Sequence, residues 1–75
     1  MNLSFGEKLR LLRENAEMNQ TELGLAIRST QRKISYLECG KCEPSMDDIA
    51  AICKYFKVSA DYLLGLPADL KYPKK

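Results

Sequence analysis

The sequence predicts an all-α domain of five short helices packed around one core, and three observations predict it. Residue types that cap helix N-termini recur along the chain, at Ser4, Asn19, Thr30, Ser45 and Ser59. The apolar residues after each of them are spaced by three or four positions, as on one face of a helix. No stretch alternates polar and apolar residues in the way that a strand does.

The first helix is predicted over residues 5–16. Ser4 and Glu7 have the S-x-x-E spacing of a capping box, in which each side chain bonds the backbone N–H of the other residue. The apolar residues that follow fall on one stripe at about 100° per residue. That stripe consists of Phe5, Leu9, Leu12 and Ala16.

The second and third helices are predicted over residues 20–27 and 31–39. Asn19 caps the second helix, with Glu22 three residues later, and its apolar face is Leu23, Ala26 and Ile27. Thr30 caps the third, whose inward residues are Ile34 and Leu37. Gly40 follows, in the position where a left-handed residue ends many helices.

The fourth helix is predicted to begin after Ser45, because the negative charges of Asp47 and Asp48 interact favourably with the positive N-terminal end of the helix dipole. Its inward face is Ile49, Ile52, Cys53 and Phe56. Ser59 caps a last helix over residues 60–64, which Gly65 ends. We expect residues 1–66 to form the folded domain, which would be the whole protein, and residues 67–75 to be a short flexible tail.

Composition narrows the class of function. There are 12 basic and 10 acidic residues, and residues 1–41 hold seven basic against five acidic ones. The chain has no His, the commonest general base and metal ligand, and its three Cys without a secretory signal indicate a cytoplasmic protein with reduced thiols. No apolar run is long enough for a membrane helix. An enzyme is the class that we expect least.

The short link between the second and third helices is the most informative feature. About two residues, Arg28 and Ser29, join them, which forces the sharp crossing of a helix-turn-helix. On a helical wheel the face opposite the inward residues of the third helix is centred on Arg32. It also carries Gln31, Ser35 and Tyr36 and no carboxylate. An Arg fork matches guanine O6 and N7, and a Gln amide matches adenine N6 and N7.

Four segments together resemble the phage-repressor and Cro-type helix-turn-helix regulators, the xenobiotic-response-element class. They are NQTEL (19–23), TQRKISYLECGK (30–41), EPS (43–45) and VSADYLLG (58–65). The resemblance implies a sequence-specific transcriptional regulator of double-stranded DNA, more often a repressor than an activator. It would act as a homodimer, with the third helix in the major groove of a palindromic operator.

The resemblance also implies roles for individual residues. Residues expected to contact bases are Gln31, Arg32, Ser35 and Tyr36. Residues expected to contact phosphates are Asn19, Gln20, Thr30, Lys33 and Lys41. Arg13 and Glu38 match a structural pair that joins the first and third helices. The expected dimer interface is the end of the fifth helix, with Ala60, Leu63, Leu64 and Leu66.

Three positions depart from the family pattern. The turn position that is usually Gly is Arg28, which costs roughly 1 kcal/mol if its backbone is left-handed. Gly24 stands where Ala is frequent, so the second helix is expected to be locally weaker. Tyr36 replaces the more usual polar residues and leaves the base preference there open, a thymine methyl being one candidate.

Two other functions compete with this interpretation. The same fold could be an antitoxin or antirepressor that binds a protein, in which case residues 66–72 should form an exposed apolar patch. A thiol or zinc sensor would use Cys39, Cys42 and Cys53, the first two being spaced as C-x-x-C. A structural zinc site needs four ligands, and the chain offers three Cys and no His, so we expect no metal and no cofactor.

Overall fold

The computed structural model describes residues 3–65, and these residues form the five predicted helices. The helices are α1 (Phe5–Asn15), α2 (Gln20–Ala26), α3 (Gln31–Cys39), α4 (Met46–Phe56) and α5 (Ala60–Leu64). The all-α prediction is therefore confirmed, although α1 and α2 each end one residue earlier than predicted. None of the helices in residues 3–65 has the length and apolarity needed to cross a membrane. Residue 66 and the predicted tail at 67–75 lie outside the described residues.

Each helix begins at the predicted cap. Reciprocal capping boxes start α1 with Ser4 and Glu7, and α2 with Asn19 and Glu22. A third box, between Ser45 and Asp48, starts α4. In α3 and α5 the capping hydroxyls accept from the backbone N–H three residues later. These caps satisfy backbone donors that no helical carbonyl can reach, so they fix where each helix starts.

The core contains at least one fully buried side chain from every helix. Its residues are Leu9, Leu23, Ile34, Leu37, Ile52 and Leu63. Burying a side chain of this size contributes about 1.5–3 kcal/mol, so this cluster is the main favourable contribution to folding. Ala16 and Ala26, predicted on apolar faces, are exposed instead. Ala16 is the C-cap residue that follows α1, and Gly24 is the small residue that α2 buries.

Two glycines allow helices to approach more closely than a side chain would permit. A Cβ on Gly6 would lie 2.4 Å from the backbone oxygen of Glu38, at the end of α3. A Cβ on Gly24 would lie 2.9 Å from the carbonyl carbon of Thr30, at the start of α3. The expectation that Gly24 merely weakens α2 is therefore incomplete, because the helix-turn-helix packing requires its lack of a side chain.

Several turns use left-handed backbone. Gly40 and Gly65 end α3 and α5, as predicted, with φ of 79° and 73°, and the left-handed conformation was predicted for Gly40. Arg28 also has a positive φ of 58°. Its backbone is therefore left-handed, and the expected strain of roughly 1 kcal/mol applies at this position. Glu17 and Lys57 adopt the same conformation, which the sequence did not suggest.

Candidate nucleic-acid interface

The outer face of α3, defined as Gln31, Arg32, Ser35 and Tyr36, is open to solvent. Gln31, Arg32 and Tyr36 are exposed and Ser35 is half-buried, whereas Ile34 and Leu37 of the same helix are fully buried. Arg32 forms no hydrogen bond or ion pair with residues 3–65, so its guanidinium is available to a ligand. The face thus presents an amide, a guanidinium, a hydroxyl and a phenol ring to a ligand.

Arg13 and Glu38 form a bidentate ion pair behind this face. Nε of Arg13 donates to Oε2 of Glu38 at 2.7 Å, and the NH2 nitrogen donates to Oε1 at 3.1 Å. Only 11% and 4% of the two side chains are exposed, so these are not independent surface charges. Arg13 also donates to the backbone oxygen of Met18 and so fixes the loop between α1 and α2. The hydrogen bond to Glu38 raises the pKa of the Arg13 guanidinium above its ordinary value.

Hydrogen bonds continue from this ion pair to the outer face. Nε2 of Gln20 donates to Oε1 of Glu38 at 3.1 Å, and Nε2 of Gln31 donates to Oε1 of Gln20 at 2.7 Å. Arg13, Glu38, Gln20 and Gln31 therefore form one network, called here the four-residue network, which joins α1, α2 and α3. It connects a nearly buried ion pair to an exposed amide on the outer face.

The residues expected to contact phosphates differ in their surroundings. Asn19 and Thr30 are exposed caps whose side-chain oxygens accept from backbone N–H groups of Glu22 and Lys33. The Glu22 carboxylate bonds the backbone N–H of Asn19 at 2.8 Å, so the start of α2 already carries one negative group. Gln20 is occupied by the four-residue network.

The two lysines in that set are also placed differently. Nζ of Lys41 lies 6.0 Å from the centroid of the Tyr36 ring, beside the outer face and within reach of a cation–π interaction. Nζ of Lys33 lies 3.2 Å from the Asp48 carboxylate and links α3 to α4. A phosphate contact by Lys33 would therefore compete with an internal ion pair, whereas Lys41 has no ion pair with a carboxylate among residues 3–65.

One expected dimer residue is corrected by the structure. Leu63 is 1% exposed and belongs to the core, so its side chain is not available to a second copy of the chain. Ala60 and Leu64 are exposed, and Leu66 lies outside the described residues. The helical period of α5 explains the difference, because its inward stripe has to include a large apolar residue.

The three cysteines are free thiols at different depths. Cys39 is exposed at the end of α3, while Cys42 and Cys53 are half-buried and pack against the core. Residues 3–65 contain no group of three or more Cys, Asp or Glu side chains placed to hold a metal ion. The apolar patch that a protein-binding role would require, at residues 66–72, lies beyond the part that the structure describes.

Sequence reasoning missed two contributions to the site. Gly6 lies between the two residues of the first capping box and has no role in it, yet its missing side chain lets α1 contact the end of α3. Gln20 was assigned to a phosphate, yet it bridges Glu38 and Gln31. Two signals were available in the sequence. Gly6 lies within a helix, where glycine lowers helix stability, and Gln20 and Gln31 are each the first residue of a helix.

This fold and this site define a helix-turn-helix domain of the phage-repressor type. The model of the helix-turn-helix domain family matches residues 4–64, and the chain belongs to that family. It has the fold of DNA-binding transcriptional regulators.

Particular relatives support the same assignment. The chain is 36% identical over 63 residues to the HTH-type transcriptional activator BcrR of Enterococcus faecalis, and spans about a third of that protein's length (31%). It matches the P22 c2 repressor solved in complex with a synthetic operator with a TM-score of 0.79 and 30% identity, over 84% of this chain and 96% of that one. The solution structure of the P22 c2 DNA-binding domain matches with a TM-score of 0.76 and 31% identity, over 84% of each chain.

Proposed function

We propose that the protein is a transcriptional regulator that binds double-stranded DNA with sequence preference through the outer face of α3. The observation that carries this proposal is the exposure of Gln31, Arg32 and Tyr36 on a helix whose opposite side is fully buried. The similarity to a repressor solved with its operator supports it.

The side chains have the chemistry that base contact needs. The Arg32 guanidinium offers two parallel donors to guanine O6 and N7, and the Gln31 amide offers a donor and an acceptor to adenine. The Tyr36 ring is a surface for a thymine methyl group. Lys41, Asn19 and Thr30 flank the face and contact phosphates, which fixes the position of α3 in the groove but carries no base preference.

A second copy of the chain completes the operator contact. We propose that Ala60 and Leu64 of α5 contribute to the dimer interface, because Leu64 is a large apolar side chain with 49% exposure. Two such domains would contact half-sites about one helical turn apart. We further propose that operator occupancy represses transcription by excluding polymerase, and a promoter–reporter assay with and without the protein determines the sign.

The proposal is tested by selection from a randomised duplex pool, followed by binding measurements on the selected site across a salt series. We expect an enriched palindrome and an affinity that falls steeply with salt, because bound phosphates release counterions. Arg32→Ala should cost roughly 1–3 kcal/mol on the selected site and relax the preference at one base pair.

Lys41→Ala is the matched comparison, because it removes a cation next to the outer face rather than in it. It should weaken binding to all duplexes by about the same factor and reduce the salt slope by about one. Selection without any enriched sequence would contradict the proposal, as would an Arg32→Ala protein that binds the selected and random duplexes with wild-type affinities.

A further inference from the structure

We propose that Glu38, on the inner side of α3, determines which base Gln31 prefers, although Glu38 itself does not reach the DNA. The mechanism is electrostatic and geometric, since the carboxylate of Glu38 fixes the orientation of two side-chain amides in series. This inference rests on the proposed function, and it makes Glu38 a positioning residue for base preference.

The first step is the contact between Glu38 and Gln20. A carboxylate paired with a guanidinium can only accept hydrogen bonds, and that of Glu38 accepts two from Arg13. Gln20 must therefore turn its NH2 group, and not its oxygen, toward Oε1 of Glu38, as the 3.1 Å contact shows. With only 4% of the Glu38 side chain exposed, water cannot readily take the place of Gln20.

The second step passes this orientation to Gln31. Once the NH2 group of Gln20 faces Glu38, its Oε1 faces Gln31, and an amide oxygen only accepts. Gln31 must therefore donate, and its Nε2 lies 2.7 Å from Oε1 of Gln20. One amide hydrogen of Gln31 is used in this bond, so the second hydrogen and Oε1 are left for a ligand.

The remaining donor and acceptor match adenine and do not match guanine. In the major groove adenine presents the N7 acceptor beside the N6 donor, whereas guanine presents two acceptors, N7 and O6. With the opposite orientation of both amides, Gln31 would accept from Gln20 and would keep both of its amide hydrogens for the DNA. That arrangement matches guanine. The direction in which hydrogen bonds are donated along the four-residue network therefore determines which purine Gln31 prefers.

Glu38→Ala is the substitution that removes this control. Oε1 of Glu38 accepts from the NH2 nitrogen of Arg13 as well as from Gln20, so an amide at position 38 would keep its oxygen there and preserve the network. Alanine leaves no acceptor for Gln20, and both amides are then free to take the opposite orientation. We therefore expect the adenine preference at one base pair to be lost, with other positions of the operator unchanged.

The experiment measures dissociation constants on four duplexes that differ only at the base pair where Gln31→Ala relaxes the selected preference. Wild-type protein should prefer adenine over guanine by roughly 5- to 150-fold, the discrimination that a bidentate amide pair provides. For Glu38→Ala this ratio should fall below about threefold. A ratio between duplexes is insensitive to a smaller folded fraction, which weakens binding to all four duplexes by the same factor.

Glu14→Ala is the matched control. Glu14 also pairs with an arginine, Arg10 at 3.5 Å, and its loss changes the net charge equally, but the pair is exposed and has no contact with Gln20. It should keep the wild-type adenine-to-guanine ratio. Gln20→Ala leaves the ion pair intact, frees the Gln31 amide to rotate, and should also reduce the ratio.

The outcomes separate the inference from the proposed function. A folded Glu38→Ala protein with the wild-type ratio overturns the inference while Gln31→Ala still supports base contact. If Glu38→Ala does not fold, as judged by circular dichroism, Gln20→Ala decides, and an unchanged ratio overturns the inference. A wild-type protein that binds all duplexes alike overturns the proposed function, and the inference with it.

Discussion

At the scale of single residues, the turn between α2 and α3 depends on an arginine with left-handed backbone. Arg28 has φ of 58° in a position where glycine would carry no penalty. The backbone N–H of Ser29 reaches the Gly24 oxygen at 2.6 Å across this turn, so the conformation is held by the helix-turn-helix itself. The strain at Arg28 is therefore a local cost of a connection that orients α3.

Arg28→Gly is expected to stabilise the protein. Relief of the left-handed conformation contributes about 1 kcal/mol, and the greater freedom of glycine in the unfolded chain offsets part of it. Urea denaturation followed by circular dichroism measures the change in the free energy of unfolding. Lys54→Gly is the contrasting control, because Lys54 lies within α4, where glycine costs up to about 1 kcal/mol. Equal destabilisation by both variants would contradict the assignment of strain to Arg28.

The left-handed residues also show what a sequence reveals at this scale. Arg28 could be suspected because glycine is usual at its position in the family. Glu17 and Lys57 have nearly the same φ, and each ends a helix with the next backbone N–H donating to the carbonyl of Arg13 or Cys53, but their residue types give no signal of it. Local residue type identifies the glycine turns at Gly40 and Gly65 and misses these two.

At the scale of elements, helix starts were predictable and helix separations were not. A cap is a signal contained in four residues, as with Ser4 and Glu7, so it can be found in the sequence. The need for Gly6 and Gly24 arises from backbone atoms of Glu38 and Thr30, which are distant along the chain or across a turn. The same distinction explains why the outer face of α3 was predictable and the bridging role of Gln20 was not.

The link between α3 and α4 gives an expected pH dependence. Burial acts to raise the pKa of Asp48, but hydrogen bonds from Ser45 and Lys33 outweigh it and hold that pKa below its ordinary value of 3.8. Because the folded-state pKa is the lower one, the carboxylate contributes stability above about pH 4 and loses it as the pH falls further.

Asp48→Asn should therefore be less stable than wild type at neutral pH and should lose less stability between about pH 6 and pH 3. Thermal unfolding across that range measures both effects. Asp47→Asn is the matched control, since Asp47 is exposed in the same first turn of α4. If the two variants have the same acid dependence, the Lys33–Asp48 contact does not contribute as described.

At the scale of the whole molecule, α5 carries an exposed apolar side chain, Leu64, at its end. Leu64→Lys should weaken self-association and reduce affinity for the palindrome toward that of a single half-site, since a charge would have to be buried in the proposed interface. Analytical ultracentrifugation and binding to full and half operators measure this. Leu11→Lys is the control, because Leu11 on α1 has a similar exposure of 41%.

An unchanged association state and unchanged operator affinity for Leu64→Lys would place the dimer contact elsewhere. Lys8 bears on this test, because its Nζ donates to the backbone oxygen of Tyr62 at 2.7 Å and ties α5 to α1. The orientation of α5 is thus set from outside α5, so a variant at Leu64 changes the surface without removing that tie.

The close contact at Gly6 has a consequence for domain engineering. The outer face of α3 lies on one continuous segment, which can be grafted onto another helical scaffold. How closely α3 packs against α1, however, is set by Gly6 of α1, which lies against the C-terminal end of α3. A graft of residues 31–39 alone would leave behind both that spacing and the Gln20 bridge. Transplanting base preference from this protein therefore requires a discontinuous set of residues from three helices.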